Sequence, residues 1–294
     1  MTEPASLSYE VLVADGMPRK VDLRLPDGGE IVSSPISSTL IYGDRDAVLV
    51  DPPLTNGQIE QVAEGIARSG KRLAYVYITH GHPDHWFGTA PLLERFGDAD
   101  SVVYATEGTI RQMHEQLKGK EEGFAKTFPG QIPDNTPVLA IPVPDGGFQL
   151  EGHVLLPVET GHTDTDDTSV LQVPSIGLVV AGDVVYNGVH QMMLEGSDGG
   201  LQAWLDNIDH IAALNPRHVV AGHKNKALPD DPKILEETRQ YLRDAIRLLA
   251  GQPTPQEFFD EMMKLHGDRL NPGPLWYSAI GLLSNTSAKS EPNQ

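Results

Sequence analysis

Residues 79–85 read THGHPDH, directly after the apolar run LAYVYI. A chain with 11 histidines in 294 residues sets three of them, with an aspartate, inside six positions. Chance supplies His-x-His-x-Asp-His in roughly one such chain in a thousand, so the cluster asks for a chemical reason. The run 73–79 is rich in β-formers, which puts the histidines on the loop at a strand's carboxyl end. His80 and His82 can both reach one ion. Asp84 and His85, from the following turn, can face a second, with Pro83 restraining the loop between the pairs. The fold must then bring further donors to this one loop.

Three later apolar segments end in the same way. LLPVETGH delivers His162, GLVVAGD delivers Asp183 and RHVVAGH delivers His223. Each has Gly immediately before the polar residue, where a chain turns sharply or approaches a neighbour closely. Several strands presenting side chains at one edge is how an α/β scaffold assembles a site from distant sequence. His80, His82, Asp84, His85, His162, Asp183 and His223 can together hold two cations, with Asp183 able to bridge. Singly, a strand-end histidine is a hydrogen-bonded histidine and Asp183 caps a turn; that seven such coincidences coexist is what points to metal. The chain has no cysteine, which excludes disulfides, thiolate ligands and thiol nucleophiles. Imidazole and carboxylate donors suit two divalent ions, zinc first, with iron or manganese as alternatives.

Strand-like runs at 46–51, 101–105, 138–143, 153–159, 169–173, 177–183 and 217–223 alternate with amphipathic helices, the pattern of an α/β fold. Thr55 and Gln58 form a capping box ahead of the stripe Ile59, Val62, Ala63, Ile66. Leu201, Trp204, Leu205, Ile208 and Ile211 mark a second helix, and Asp231-Pro232 opens a third that Gly251 ends. Residues 107–137 break this rhythm as a lid or a surface excursion. Residues 253–283 add helices, so 1–283 reads as one domain, and the polar tail 284–294 reads as disordered.

With 22 basic and 41 acidic residues, the formal charge of −19 disfavours nucleic acid as a partner. The start MTEPASLSYEVL lacks the basic-then-apolar pattern of a signal peptide, and no apolar stretch is long enough to span a bilayer. The expectation is a cytoplasmic protein acting on a small molecule, with its oligomeric state open.

The set HGHPDH, TGHTDTD, AGD and AGH, in this order, resembles the metallo-β-lactamase-fold superfamily. The resemblance implies an αββα four-layer sandwich with a dinuclear site at one edge of two packed sheets. It further implies His80, His82 and His162 on one ion, Asp84, His85 and His223 on the other, and Asp183 bridging. Two cations sharing a water lower its pKa toward ~7, which makes a nucleophile at neutral pH. Asp84 can relay a proton to the leaving group. Asp51, in VDPP, is a candidate for ordering the metal loops from behind.

Without cysteine the chain does not match the β-lactamase classes that ligate metal through that residue, and Asp183 sets it apart from the class that lacks the bridging aspartate. The bridging set resembles glyoxalase II, quorum-quenching lactonases, ribonuclease Z and related phosphodiesterases. Tyr186, three residues after Asp183, is similar to the lactonase tyrosine that assists the substrate carbonyl oxygen. GHTDTDDTS departs from the Gly-His-Thr-Pro-Gly-Ser form of those hydrolases: Asp164 and Asp166 set extra carboxylates that can bind a polar substrate group, orient His162 or cap the turn. Trp86, Phe87, Trp276 and Tyr277 can make an apolar wall, and His190 can line the pocket. The expected function is a dinuclear metal-dependent hydrolase opening a lactone, ester or thioester. The alternatives are a phosphodiesterase, β-lactam hydrolysis as a side activity, or an iron-dependent redox enzyme.

Overall fold

The computed structural model describes residues 6–117 and 123–288, with side chains to residue 283. A six-stranded sheet runs in chain order through β1 (Ser8–Ala14), β2 (Ile36–Tyr42), β3 (Asp46–Val50), β4 (Arg72–Tyr77), β5 (Val102–Ala105) and β6 (Ile141–Pro142). The second sheet holds β7 (Phe148–Leu150), β8 (His153–Gly161), β9 (Thr168–Val173), β10 (Leu178–Asn187) and β11 (His218–Lys224), in the spatial order β11-β10-β9-β8-β7. Parallel neighbours need a crossover, and helices provide it. Helix α1 (Asn56–Ser69) joins β3 to β4, α2 (Thr89–Phe96) joins β4 to β5, and α3 (Glu107–Leu117) follows β5. The short turn α4 (Ala125–Thr127) comes next, and α5 (Gly200–Ala213) links the parallel pair β10 and β11. Helices α6 (Ile234–Leu249), α7 (Pro255–His266) and α8 (Gly273–Ala288) complete the described chain.

The layering follows from period-2 side-chain alternation on strands buried on both faces. On β3, Ala47 and Leu49 turn toward the α1 stripe, while Val48 and Val50 turn toward the other sheet. On β10, Val179 and Ala181 face the helices α5, α6 and α8, while Leu178 and Val180 face the first sheet. Three apolar interfaces result: helix on sheet, sheet on sheet, sheet on helix. This is the αββα sandwich that the resemblance to the metallo-β-lactamase fold implied.

Differences from expectation have local causes. β6 is only Ile141–Pro142 where 138–143 read as a strand, because it lies at the sheet edge and Pro142 lacks the N–H to extend a ladder. β10 does not stop at Asp183 but continues to Asn187, with register breaks on either side of Gly182 where it pairs with β11. Helix α8 carries helical backbone to Ala288, so residues 284–288 are not the tail that polarity suggested; residues 289–294 lie outside the described chain. The start of the chain, residues 1–5, also lies outside it. No helix among the described residues is long and apolar enough to cross a membrane.

Candidate metal centre

The carboxyl ends of β3 and β4 lie side by side, and their exits build the site. Asp51 leaves β3 with φ 57°, the left-handed region that a non-glycine residue adopts at some cost, and its side chain is buried. Its carboxylate accepts the Thr79 backbone N–H at 2.9 Å and the Thr79 hydroxyl at 2.7 Å. Because the Thr79 hydroxyl proton goes to Asp51, its oxygen accepts from His80 Nδ1 at 3.0 Å. A 3₁₀ turn over Pro83–His85 then swings His85 back, and its Nδ1 meets Asp51 Oδ2 at 3.0 Å. On the other sheet, His223 at the end of β11 donates from Nδ1 to the Pro35 carbonyl at 2.8 Å.

These three contacts give three imidazoles the same tautomer. Each Nδ1 carries the proton to a fixed oxygen, and each Nε2 lone pair is left to face the cluster, the arrangement that outer partners impose on metal-binding histidines. His80 Nε2 lies 3.5 Å from Asp164 Oδ2, His85 Nε2 3.4 Å from Asp183 Oδ1, and His223 Nε2 3.2 Å from Asp183 Oδ2. His82 Nδ1 lies 2.9 Å from Asp164 Oδ2, and Asp84 Oδ2 3.6 Å from His223 Nε2.

Among the described residues three donor groups form, each with ligand atoms within 4.8 Å of one another: His80, His82, Asp164 and Asp183; Asp84, His85 and His223; and Asp51, His80 and His85, in which the Asp51 carboxylate is already taken up by Thr79 and His85 Nδ1. Asp183, in the first group, also touches members of the second. His85 Nε2, Asp164 Oδ2 and Asp183 Oδ1 are buried and have no hydrogen-bond partner. Buried polar atoms without partners cost about 1–3 kcal/mol each, and His85 Nε2 and Asp183 Oδ1 stand only 3.4 Å apart. This donor set fits divalent cations. Gly222 fits the same picture, because a Cβ there would stand 2.1 Å from Asp183 Oδ1 and 2.9 Å from His85 Cε1.

The structure brings six of the seven sequence-derived candidates together and leaves His162 out. Its Nδ1 bonds Asp166 at 2.7 Å, its carbonyl accepts from Asn207, and its Nε2 lies against the first residue of α5, Gly200. The buried carboxylate of Asp164, two residues on, stands in the donor group beside His80 and His82, while His162 Nε2 is buried without a hydrogen-bond partner outside it. Asp166 thus orients His162, one of the roles that its position suggested. Glu195 was missed: its Oε1 lies 3.4 Å from His82 Nε2 and its Oε2 accepts from Thr165, yet it stands in a loop with no patterned signal.

The electrostatics of the metal-free cluster are those of buried ion pairs. Burial pulls the His80 imidazole down to about 4, with the neighbouring His85 adding to the effect. Burial opposes charge on His82, His85 and His223 too, but Asp164 beside His82, and Asp183 beside the other two, hold all three above the ordinary imidazole value. Burial likewise opposes charge on Asp183, and the His223 and His85 imidazoles override it, keeping the carboxyl well below its usual range. In this state protons on the histidines stand where cations would supply positive charge.

A cavity of about 300 Å³ opens over the cluster, reaching His82, Asp84, Asp164, Asp183 and His223. Tyr186 lines it and donates its hydroxyl to Asp183 Oδ2 at 2.8 Å, its ring stacked 5.4 Å from His223. Burial, followed by the Asp183 charge, raises the Tyr186 phenol well above its normal value, so it stays a neutral donor. The apolar wall differs from expectation. Tyr277 contributes, with Phe124 and Phe128 from the 107–137 segment, whereas Trp86 and Phe87 are buried in the core under the loop and Trp276 packs on Phe259. His190 is also core, its Nδ1 paired with the Tyr241 hydroxyl at 3.0 Å.

Comparison with known proteins agrees with this geometry. The family model of the metallo-beta-lactamase superfamily matches residues 33–223, the span from the approach to β2 through His223, and the chain belongs to that superfamily, whose members are generally metal-dependent hydrolases. A metallo-beta-lactamase family protein from Thermus thermophilus is 19% identical over 95% of this chain and 94% of its own, with a TM-score of 0.61. The FIM-1 metallo-beta-lactamase from Pseudomonas aeruginosa, in a mono-zinc form, is 16% identical over 82% of this chain and 92% of its own, with a TM-score of 0.55. A metallo beta lactamase from Erythrobacter litoralis, with beta mercaptoethanol in its active site, is 19% identical over 81% of this chain and 93% of its own, with a TM-score of 0.53. No curated protein sequence matches the chain.

Proposed function

We propose that the protein is a dinuclear metal-dependent hydrolase that opens a lactone, ester or thioester of a small molecule. The observation that carries this reading is the donor group of His80, His82, Asp164 and Asp183 beside that of Asp84, His85 and His223, with Asp183 lying 3.4 Å from His85 Nε2 and 3.2 Å from His223 Nε2. His80, His82 and Asp164 would hold one cation and Asp84, His85 and His223 the other, with Asp183 close to members of both sets. Zinc is the metal this donor set suits first. Two such cations supply Lewis acidity and lower the pKa of a shared water toward ~7.

The chain's own residues do the rest. Asp51 and Pro35 hold His85 and His223 by their Nδ1 atoms, so the imidazoles need no reorganisation during turnover. Asp84 is the most exposed carboxylate of the two donor groups and faces the cavity, where it can pass a proton to the leaving oxygen or sulfur. The neutral Tyr186 hydroxyl sits at the cavity wall with its one proton on Asp183 Oδ2; with cations taking up the Asp183 carboxylate, that proton would be free to turn to a carbonyl oxygen as negative charge grows on it. Phe124, Phe128 and Tyr277 exclude water on the side away from the cluster.

The test is elemental analysis of the purified protein together with turnover of lactone, thioester, β-lactam and phosphodiester panels. The reading expects about two zinc ions per chain and carbonyl turnover. Phosphodiester turnover alone, or iron with oxygen uptake, overturns it. The Tyr186→Phe variant is expected to keep its metal and lose carbonyl turnover; full activity removes Tyr186 from the mechanism.

A further inference from the structure

The wall of the cavity opposite the donor cluster carries one cationic side chain. Among the described residues lining that space, Arg19 is the only Lys or Arg, set against Asp84, Asp164, Asp183 and Glu195. Among the described residues no carboxylate pairs with it, although four carboxylates line the same cavity. Its Nε is buried and has no hydrogen-bond partner. A buried guanidinium N–H left open is costly unless something arrives to accept it.

Arg19 is also held in place. The segment 17–33 folds back on itself: Arg19 N–H donates to the Ile31 carbonyl at 2.9 Å, Ser33 N–H to the Met17 carbonyl at 2.8 Å, and Pro18 bridges Val32. Two other parts of the chain tie this flap over the cavity. Lys20 N–H donates to the Thr127 carbonyl at 2.9 Å, and the Asn271 amide donates to the Val32 carbonyl at 3.2 Å. The guanidinium lies between two aromatic rings, its Cζ 5.1 Å from the Tyr277 centroid and 5.8 Å from that of Phe128. Stacking occupies the faces of a planar guanidinium and leaves its N–H edge for a ligand.

We propose that Arg19 is the residue that recognises an anionic end of the substrate, so that the molecule hydrolysed at the cluster carries a carboxylate remote from its scissile bond. This rests on the metallohydrolase reading of the same site. A carboxylate is the planar match to the guanidinium fork, and the aromatic rings on either side of Arg19 strip water from the pair and strengthen it. The same cavity is lined by Leu54, Ile36 and Met192, apolar surface that suits the carbon chain separating the carboxylate from the carbonyl.

The experiment compares zinc-loaded wild-type protein with Arg19→Gln, by calorimetric titration of the dicarboxylates from succinate to suberate and of their monoamides. Both compounds of each pair offer one carboxylate to the cations, and only the second end differs. The best-fitting dicarboxylate is expected to bind wild type about 10- to 100-fold more tightly than its monoamide, the range of a charge-assisted hydrogen bond to an ionised group. In Arg19→Gln that preference disappears while monoamide affinity stays unchanged, which shows the flap still in place. Arg19→Lys, with charge but no fork, retains part of it. No preference in wild type, a preference that survives Arg19→Gln, or an equal loss for both compounds overturns the proposal. A protein that shows the Arg19-dependent preference but turns over no carbonyl substrate keeps the anion site and loses the hydrolase.

Discussion

Asp51→Asn probes how far the cluster depends on a carboxylate bonded to Thr79 and His85 Nδ1 behind the proposed ligands. Asn keeps nearly the same shape and tolerates the left-handed backbone at φ 57° better than most residues. Its side-chain oxygen can still accept the Thr79 N–H that Asp51 Oδ1 accepts at 2.9 Å. The amide NH₂ then stands at the Oδ2 position, facing His85 Nδ1 at 3.0 Å, so two donors confront each other. The His85 ring must lose this bond or move its proton to Nε2, the atom aimed at Asp183. Loss of a hydrogen bond to a charged group is worth about 1.5–3 kcal/mol, or roughly 10- to 100-fold in affinity, a range also typical of lost outer-shell partners. Competition with a chelator of known zinc affinity measures this directly, with circular dichroism as the check that the fold persists. The ion held by His85 should weaken by that factor. Zinc affinities within twofold of wild type for both ions would refute the claim that Asp51 sets the His85 tautomer.

Gly222→Ala places a methyl 2.1 Å from Asp183 Oδ1, and elemental analysis should show metal loss with an intact fold, whereas Gly123→Ala, with no atom within 4 Å, should load normally. The raised histidines set a pH dependence in the metal-free protein. His82, His85 and His223 are held above the ordinary imidazole value of 6.5, so their contribution to stability is complete below it and is lost as pH rises through their folded values. The melting temperature of metal-free protein should therefore fall as pH is raised above neutrality, zinc should abolish that fall, and zinc binding near neutral pH should release protons. A melting temperature that climbs with pH contradicts this reading.

The sequence made the site legible wherever a ligand sat at a strand end behind glycine. His80, His82, Asp84 and His85 were readable from local spacing, and Asp183 and His223 from the AGD and AGH endings. His162 shows the limit. Spacing brings GHTDTDDT to the cluster but does not say which side chain of a tight turn points inward, and in the structure Asp164 stands in the donor group while His162 Nδ1 bonds Asp166. Asp183 lies within β10 beside a break in its pairing with β11, not at the strand's end, because pairing irregularities leave no period in the sequence. Helices α1, α5 and α6 were plain from their apolar stripes. Strand β2, ISSTLIY, escaped because its serines and threonine are buried between strands, where polar residues read as loop. The Arg19 flap was invisible for a different reason: its meaning comes from Phe128 and Tyr277, more than a hundred residues away in the chain.

The most direct test of the account is a crystal structure of the zinc-loaded protein with anomalous data at the zinc edge. Two peaks about 3.5–4 Å apart, one against His80, His82 and Asp164 and the other against Asp84, His85 and His223, with Asp183 between, is the predicted result. A single peak, or a first ion ligated by His162 with Asp164 turned away, would contradict it.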